Sequence, residues 1–180
     1  GKRDRRDGRA GQDSQGEDAM ELLPRYSDCF FCGREGDGPH LRMSVDNDVI
    51  FSEFVLDSKF QGYARVAHAG IVTGVLDEAM WWAVFFDTHS FYFTTKMEID
   101  LLRPVYTGTQ HKVTARVIEK DGRAVRVQAS IRNADDKECA RVLGTFKQGR
   151  GIDRAAFAKK LDFVDISPRL KQKLQSALED

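Results

Sequence analysis

The stretch from Ala67 to Trp82, AHAGIVTGVLDEAMWW, constrains this chain more than any other. It reads as one helix that is apolar almost all round, running from about residue 68 to 86. A helix without a polar face is normally a buried one. Yet Asp77 and Glu78 sit side by side in its middle. An acid on a buried helix is costly unless it is paired, protonated or used. The same helix begins with the small-residue run His68-Ala69-Gly70. Such a start leaves backbone N–H groups unpaired at the positive end of the helix dipole. That end suits a carbonyl oxygen that becomes negative. An acid and an oxyanion donor on one buried helix point to acyl chemistry.

The rest of the chain supplies what the helix needs to pack against. Residues 20–26 read as a short helical turn ended at Pro24. Residues 41–45 and 49–56 read as two strands around the turn Asp46-Asn47-Asp48, and 59–66 as a loop. Residues 91–101 alternate, with Phe91, Phe93, Thr95, Met97, Ile99 and Leu101 expected on one face and Tyr92, Thr94, Lys96, Glu98 and Asp100 on the other. Arg103-Pro104 ends that strand. Strands 110–119 and 124–133 follow, joined at Asp121-Gly122, and 138–147 is the last. Beyond Gly149 and Gly151, residues 152–180 read as two short helices. Ser167 caps the second, with Pro168 at its first position. Leu170, Leu174 and Leu178 share one face. One apolar helix between runs of antiparallel strands predicts an α+β fold, with the sheet wrapped round the helix. The expected organisation is a polar tail over 1–18, one domain over 19–149 and a helical extension over 150–180.

Charge narrows the function. Lys plus Arg and Asp plus Glu number 28 each. The balance offers no electrostatic reason to expect nucleic acid or an anionic membrane surface as partner. Asp77 and Glu78 interrupt the longest apolar run, which falls short of the roughly 20 residues of a membrane span. Three cysteines are too few for a disulfide framework, so a reducing, cytoplasmic setting is expected. Cys29 and Cys32 have zinc-ligand spacing, and His40 is a third candidate. With no fourth ligand and no second cysteine pair in sight, they are read as packing thiols, and no metal is expected.

Several of these residues together resemble a known family. Gly62-Tyr63, His68-Ala69-Gly70-Ile71, Leu76-Asp77-Glu78-Ala79 and the strand 94–104 ending in Arg103-Pro104 are similar to the hotdog-fold acyl-CoA thioesterases of the phenylacetate-pathway type. The opening Cys29-Phe30-Phe31-Cys32-Gly33 fits the start of bacterial members. The resemblance covers about residues 29–147. It implies hydrolysis of an acyl-CoA thioester to acid and CoA, with no cofactor beyond the CoA of the substrate. It puts Asp77 at the catalytic carboxylate and the Ala69 N–H, aided by Gly70, at the thioester oxygen. Thr94 falls where a hydroxyl holds the attacking water. His68 falls at the helix start. Gln61 and Gly62 fall where the substrate is positioned, and Trp81 is a candidate wall of the acyl pocket. Arg103 is a candidate for the CoA phosphates. Glu78 is the second acid, expected to pair with a base, and stays a second candidate on the substrate-binding side. Ala69 stands where the family usually has glycine, which keeps the donor but adds a methyl group.

Spacing adds a separate constraint. Ala69 and Asp77 are eight residues apart, an axial offset of about 12 Å. A reacting thioester needs both groups about 3 Å away. Two antiparallel helices satisfy this and one does not, so a homodimer, or a dimer of dimers, is expected. A non-catalytic acyl-CoA binder or sensor on the same fold is the alternative.

Overall fold

In the computed structural model, residues 20–179 are described, and the expected tail over 1–18 lies outside them. In chain order the strands are β1 (Glu21–Leu22), β2 (Arg25–Tyr26), β3 (Ser44–Asp46), β4 (Val49–Val55), β5 (Gln61–Tyr63) and β6 (Val66–Ala67). Helix α1 (Ala69–Thr88) follows. After it come β7 (Tyr92–Leu101), β8 (Gln110–Asp121), β9 (Ala124–Asn133) and β10 (Glu138–Gln148). The chain then runs through α2 (Arg154–Lys159), β11 (Leu161–Asp162) and α3 (Pro168–Glu179).

Seven strands form one sheet in the order β1-β3-β4-β8-β9-β10-β7, every neighbouring pair antiparallel. Helix α1 lies across its concave face. Val72, Val75, Leu76, Ala79, Met80 and Ala83 are buried there with Ile50, Val113, Val127, Ile131 and Phe146. Each such branched or aromatic side chain contributes roughly 1.5–3 kcal/mol by leaving water. Strand and helix approach closely at Gly144. A Cβ on Gly144 of β10 would fall 2.7 Å from the Met80 sulfur, so any larger residue there would push the Met80 side chain aside. By length and hydropathy α1 would also pass for a membrane span, which the sequence reading did not anticipate; here half of that window is buried inside the fold. This is the hotdog architecture expected: a sheet around one long helix, with a helical extension.

The hairpin between β3 and β4 turns on Asn47 and Asp48, at φ 45° and 63°. Both central residues are left-handed, which matches the twist of the flanking strands. Residues 20–26 do not form the helical turn expected of them. Pro24 has no N–H to close one, and the flanking residues find better partners: β1 joins β3, and β2 pairs with β11 from the far end of the chain. Residues 59–66 form a small hairpin, β5 against β6, rather than a plain loop.

The C-terminal extension closes one end of the core. The Leu170 N–H donates to Ser167 Oγ (3.1 Å), the expected cap, and Leu170, Leu174 and Leu178 are all buried. Phe157 of α2 stacks on Tyr26 at 4.9 Å and meets Phe91 edge-on at 4.8 Å.

Candidate active site

Two pieces of α1 and one strand irregularity build the site. At the helix start, His68 is the N-cap, and its Nδ1 accepts the Gly70 N–H at 2.9 Å. The Ile71 and Val72 N–H groups both donate to His68 O, at 2.9 and 3.1 Å. The Ala69 N–H donates to no group among the described residues, and Ala69 is exposed. The geometry therefore separates two amides that the sequence reading took together. Ala69 offers a free donor at the positive end of the helix. The Gly70 N–H is occupied by the cap, because a histidine ring at N-cap folds back onto it. His68 acts here as a capping acceptor, which puts its ring proton on Nε2.

The substrate-side candidates gather at the same end. Gly62 lies against His68, where an added Cβ would sit 3.5 Å from the His68 Cα. Gln61 precedes it, its Oε1 accepting the Arg65 N–H at 3.2 Å. The Ala67 N–H donates to Val105 O at 2.8 Å, which brings the chain just after β7 to the helix start. Arg103 is two residues before that contact, its Nη1 donating to Glu138 O at 2.7 Å.

Further along α1, the Thr94 hydroxyl donates to Asp77 Oδ1 at 2.7 Å. Burial raises the Asp77 carboxyl above its ordinary value, and the Thr94 hydrogen bond pulls it partly back. This pair exists because β7 does not alternate as expected. Lys96 pairs with Thr145 and Thr94 with Phe146, so Thr95 is an extra residue, a β-bulge. Beyond the bulge Met97 and Ile99 turn inward, as expected. Before it the parity is reversed: Tyr92 and Thr94 turn inward while Phe93 and Thr95 are exposed. The expected face of Phe93 and Thr95 is thus corrected. A strand in perfect register would have aimed Thr94 away from the helix.

Glu78 has neither the basic partner expected of it nor a place beside Thr94. Its Oε2 accepts from the Cys29 thiol (3.3 Å) and its Oε1 from the Trp82 indole N–H (3.0 Å). Burial, then the adjacent Cys29, push its carboxyl up to about 8. The two neighbouring thiols shift in opposite directions, each chiefly through the other: Cys29 is pushed down and Cys32 up. Cys32 is buried. His40, the sequence candidate beside these thiols, is turned onto Gly33 O instead. Trp81 stacks on Phe85 at 5.1 Å and touches Phe157. It belongs to the aromatic cluster under α2.

Within one chain, then, the structure brings together Gln61, Gly62, His68 and Ala69, and separately Asp77 and Thr94. Because α1 is unbroken between them, the two groups stay about 12 Å apart along its axis. A separate concavity lies on the sheet's outer face, around Glu98, Arg116, Gln128 and Arg141, away from both groups.

Comparison with known proteins agrees with this architecture. The thioesterase superfamily model matches residues 64–140, which run from the β5–β6 hairpin through α1 to β10. Protein RHA08564, a thioesterase superfamily protein, superposes with a TM-score of 0.59 at 21% identity, covering 62% of this chain. The match spans only 55% of that protein's length. The E. coli PaaI protein, from the phenylacetic acid degradation operon, gives 0.58 at 19% identity over 63% of this chain and 82% of its own. A Streptococcus mutans protein, smu.793, solved bound to acetyl CoA, gives 0.58 at 17% identity over 64% and 94%. No curated protein matches the chain by sequence. The fold is the hotdog fold, and Ala69, Asp77 and Thr94 all lie in the segment that the thioesterase superfamily model matches.

Proposed function

We propose that this chain hydrolyses acyl-CoA thioesters in a site shared by two copies of itself. The observation that carries the reading is the Thr94–Asp77 hydrogen bond (2.7 Å) on the same helix as an uncommitted Ala69 N–H. Asp77 acts as general base on a water, or as a nucleophile that forms an anhydride. The Thr94 hydroxyl donates to Asp77 and keeps its lone pairs, so it orients the carboxylate and accepts from the attacking water. The Ala69 N–H receives the developing oxyanion, with the helix dipole behind it. Arg103 and Gln61 sit at the Ala69 end, where the CoA moiety would lie. Two features support the second copy. Ala69 and Gly70 are exposed, and β7 is a ten-residue edge strand with exposed Phe93 and Leu101. Such an edge calls for a partner. The acetyl CoA bound by the S. mutans protein fits this substrate class.

Thiol release from a panel of CoA thioesters (phenylacetyl, benzoyl, hexanoyl, lauroyl) tests the chemistry, with Asp77→Ala as the control. Mixing Asp77→Asn and Ala69→Pro chains tests the sharing. Proline is tolerated at the first helical position and lacks the N–H. A mixed dimer restores one intact site only if base and donor come from different chains. Each parent mutant is expected to be inactive and the mixture active; a mixture as inactive as its parents refutes the shared site. Binding of the thioesters without thiol release would make the chain an acyl-CoA binder.

A further inference from the structure

We propose that Cys29 Sγ, Cys32 Sγ and a Glu78 carboxylate oxygen bind one thiophilic divalent cation of the zinc class, which pins the 29–32 turn onto helix α1. The three donor atoms lie within 4.8 Å of one another. Tetrahedral zinc with Zn–S near 2.3 Å and Zn–O near 2.1 Å needs donor separations of about 3.6–3.8 Å. Closing the cluster onto an ion therefore takes side-chain rotation on the order of 1 Å. Two thiolates select zinc over magnesium or calcium, and three protein donors leave a fourth position for water.

The surroundings are arranged as they are around a ligand set. The Phe31 N–H donates to Cys29 Sγ at 3.3 Å, a bond that suits a thiolate. The Trp82 indole N–H holds Glu78 Oε1, which leaves Oε2 facing the sulfurs. Outer hydrogen bonds of this kind orient metal ligands. Among the described residues no Lys, Arg or His pairs with Glu78. A half-buried carboxylate whose described partners are a thiol and an indole is poorly compensated, and a divalent cation compensates it. The one contact that opposes the ion is weak: the Cys32 thiol points at Tyr26 O, 3.9 Å away, and would release it.

The turn is also held in place independently of any ion. A Cβ on Gly33 would lie 2.6 Å from both Ser27 O and Cys29 O, so the turn closes only with glycine there. The Phe31 ring rests on bare helix at Gly74, where an added Cβ would meet it at 1.9 Å. Gly74 is one helical turn before Glu78. The donors are thus presented by two preformed surfaces, and ordering them costs little on binding. Loading is not a redox step. Two thiol protons leave to solvent, Glu78 gives up any proton it holds, and the cation accepts three lone pairs. The sequence reading took His40 as the third candidate and stopped at packing thiols for want of a fourth ligand; the proposed third donor is Glu78. That donor lies 49 residues beyond Cys29, on the helix, and not at His40.

The test uses the full chain purified under reducing conditions. Metal analysis is expected to find one zinc per chain, and cobalt added to the metal-free chain to give sulfur-to-cobalt charge-transfer bands with a tetrahedral ligand-field spectrum. Zinc, but not magnesium, raises the unfolding temperature of the metal-free chain. Glu78→Gln is expected to weaken cobalt binding by at least about tenfold, the scale of a lost ligand-shell interaction. Cys32→Ser abolishes the charge-transfer bands. Should Cys32→Ser fail to fold, the parent's cobalt spectrum and the Glu78→Gln titration decide. Absence of bound zinc and of cobalt bands, a native Cys29–Cys32 disulfide by thiol counting and peptide mapping, or unchanged affinity in Glu78→Gln would each overturn the site. None of these readouts depends on thioesterase activity.

Discussion

Thr94→Val isolates the hydrogen bond on which the proposed chemistry rests. Valine is close in shape to threonine and equally suited to a strand, so β7 and its bulge at Thr95 are retained. What disappears is the O–H that reaches Asp77 Oδ1 at 2.7 Å. A hydrogen bond to a charged group contributes roughly 1.5–3 kcal/mol, and at about 1.4 kcal/mol per decade its loss from the transition state slows kcat/KM by about 10- to 100-fold. The pH profile carries a second, independent signature. Burial raises the Asp77 carboxyl and the Thr94 bond opposes that rise. With the bond gone, burial acts unopposed. The base is then ionised over a narrower range, and the acid limb of kcat/KM moves to higher pH. Hydrolysis rates on the best CoA thioester, measured across the pH range for parent and variant, read both effects. A profile with the parent's acid limb, and a kcat/KM within about twofold of the parent (under 0.5 kcal/mol), would refute the assignment of Thr94 as the residue that positions Asp77.

Asp77→Asn is expected to lower kcat/KM by about 10²–10⁴-fold while stabilising the chain at neutral pH. The sign follows from the raised carboxyl: folding favours its protonated form, so the parent loses stability as pH rises above the unfolded value of 3.8, and asparagine does not. Urea unfolding of both chains at acidic and neutral pH checks this, and equal slopes would contradict it. Leu174→Ala removes a fully buried side chain of α3 and is expected to cost about 2–5 kcal/mol in the same assay. A cost within about 0.5 kcal/mol, the scale of a surface substitution, would mean that α3 is not docked on the core.

Much of the fold was legible because it depends on period and sequential order. An all-round apolar helix is normally a buried one, and antiparallel strands on either side leave few ways to cover it. Asp77 was legible for the same reason, as an acid where burial penalises one. What escaped the sequence depends on pairings between distant residues. The bulge at Thr95 is invisible in the alternation of β7, because it is fixed by which β10 residues Lys96 and Thr94 meet. The loss of the Gly70 amide to His68 Nδ1 needs a rotamer, not a motif. The extended form of residues 20–26 needs β3 and β11 as partners. The Cys29–Glu78 contact joins an N-terminal turn to the helix across 49 positions, and no local pattern reports it.

In the roles proposed for them, the two adjacent acids give one helix two purposes. Successive residues on an α-helix point about 100° apart, so Asp77 and Glu78 face different neighbours from the same turn. Asp77 faces β7, where a hydroxyl at 2.7 Å favours its ionised form against burial. Glu78 faces the 29–32 turn, where a thiol and an indole leave its charge uncompensated until a cation arrives. Side-chain length sorts them further. The shorter carboxylate stays close to the helix, where the proposed reaction needs room for both a water and a thioester. The extra methylene of Glu78 carries its oxygens out between the Cys29 sulfur and the Trp82 indole. Exchanging the two residues would keep composition, charge and helix propensity the same. It would nonetheless pull the donor away from the sulfurs and drive a longer acid into Thr94, so environment and reach, not the presence of two carboxylates, set what each one does.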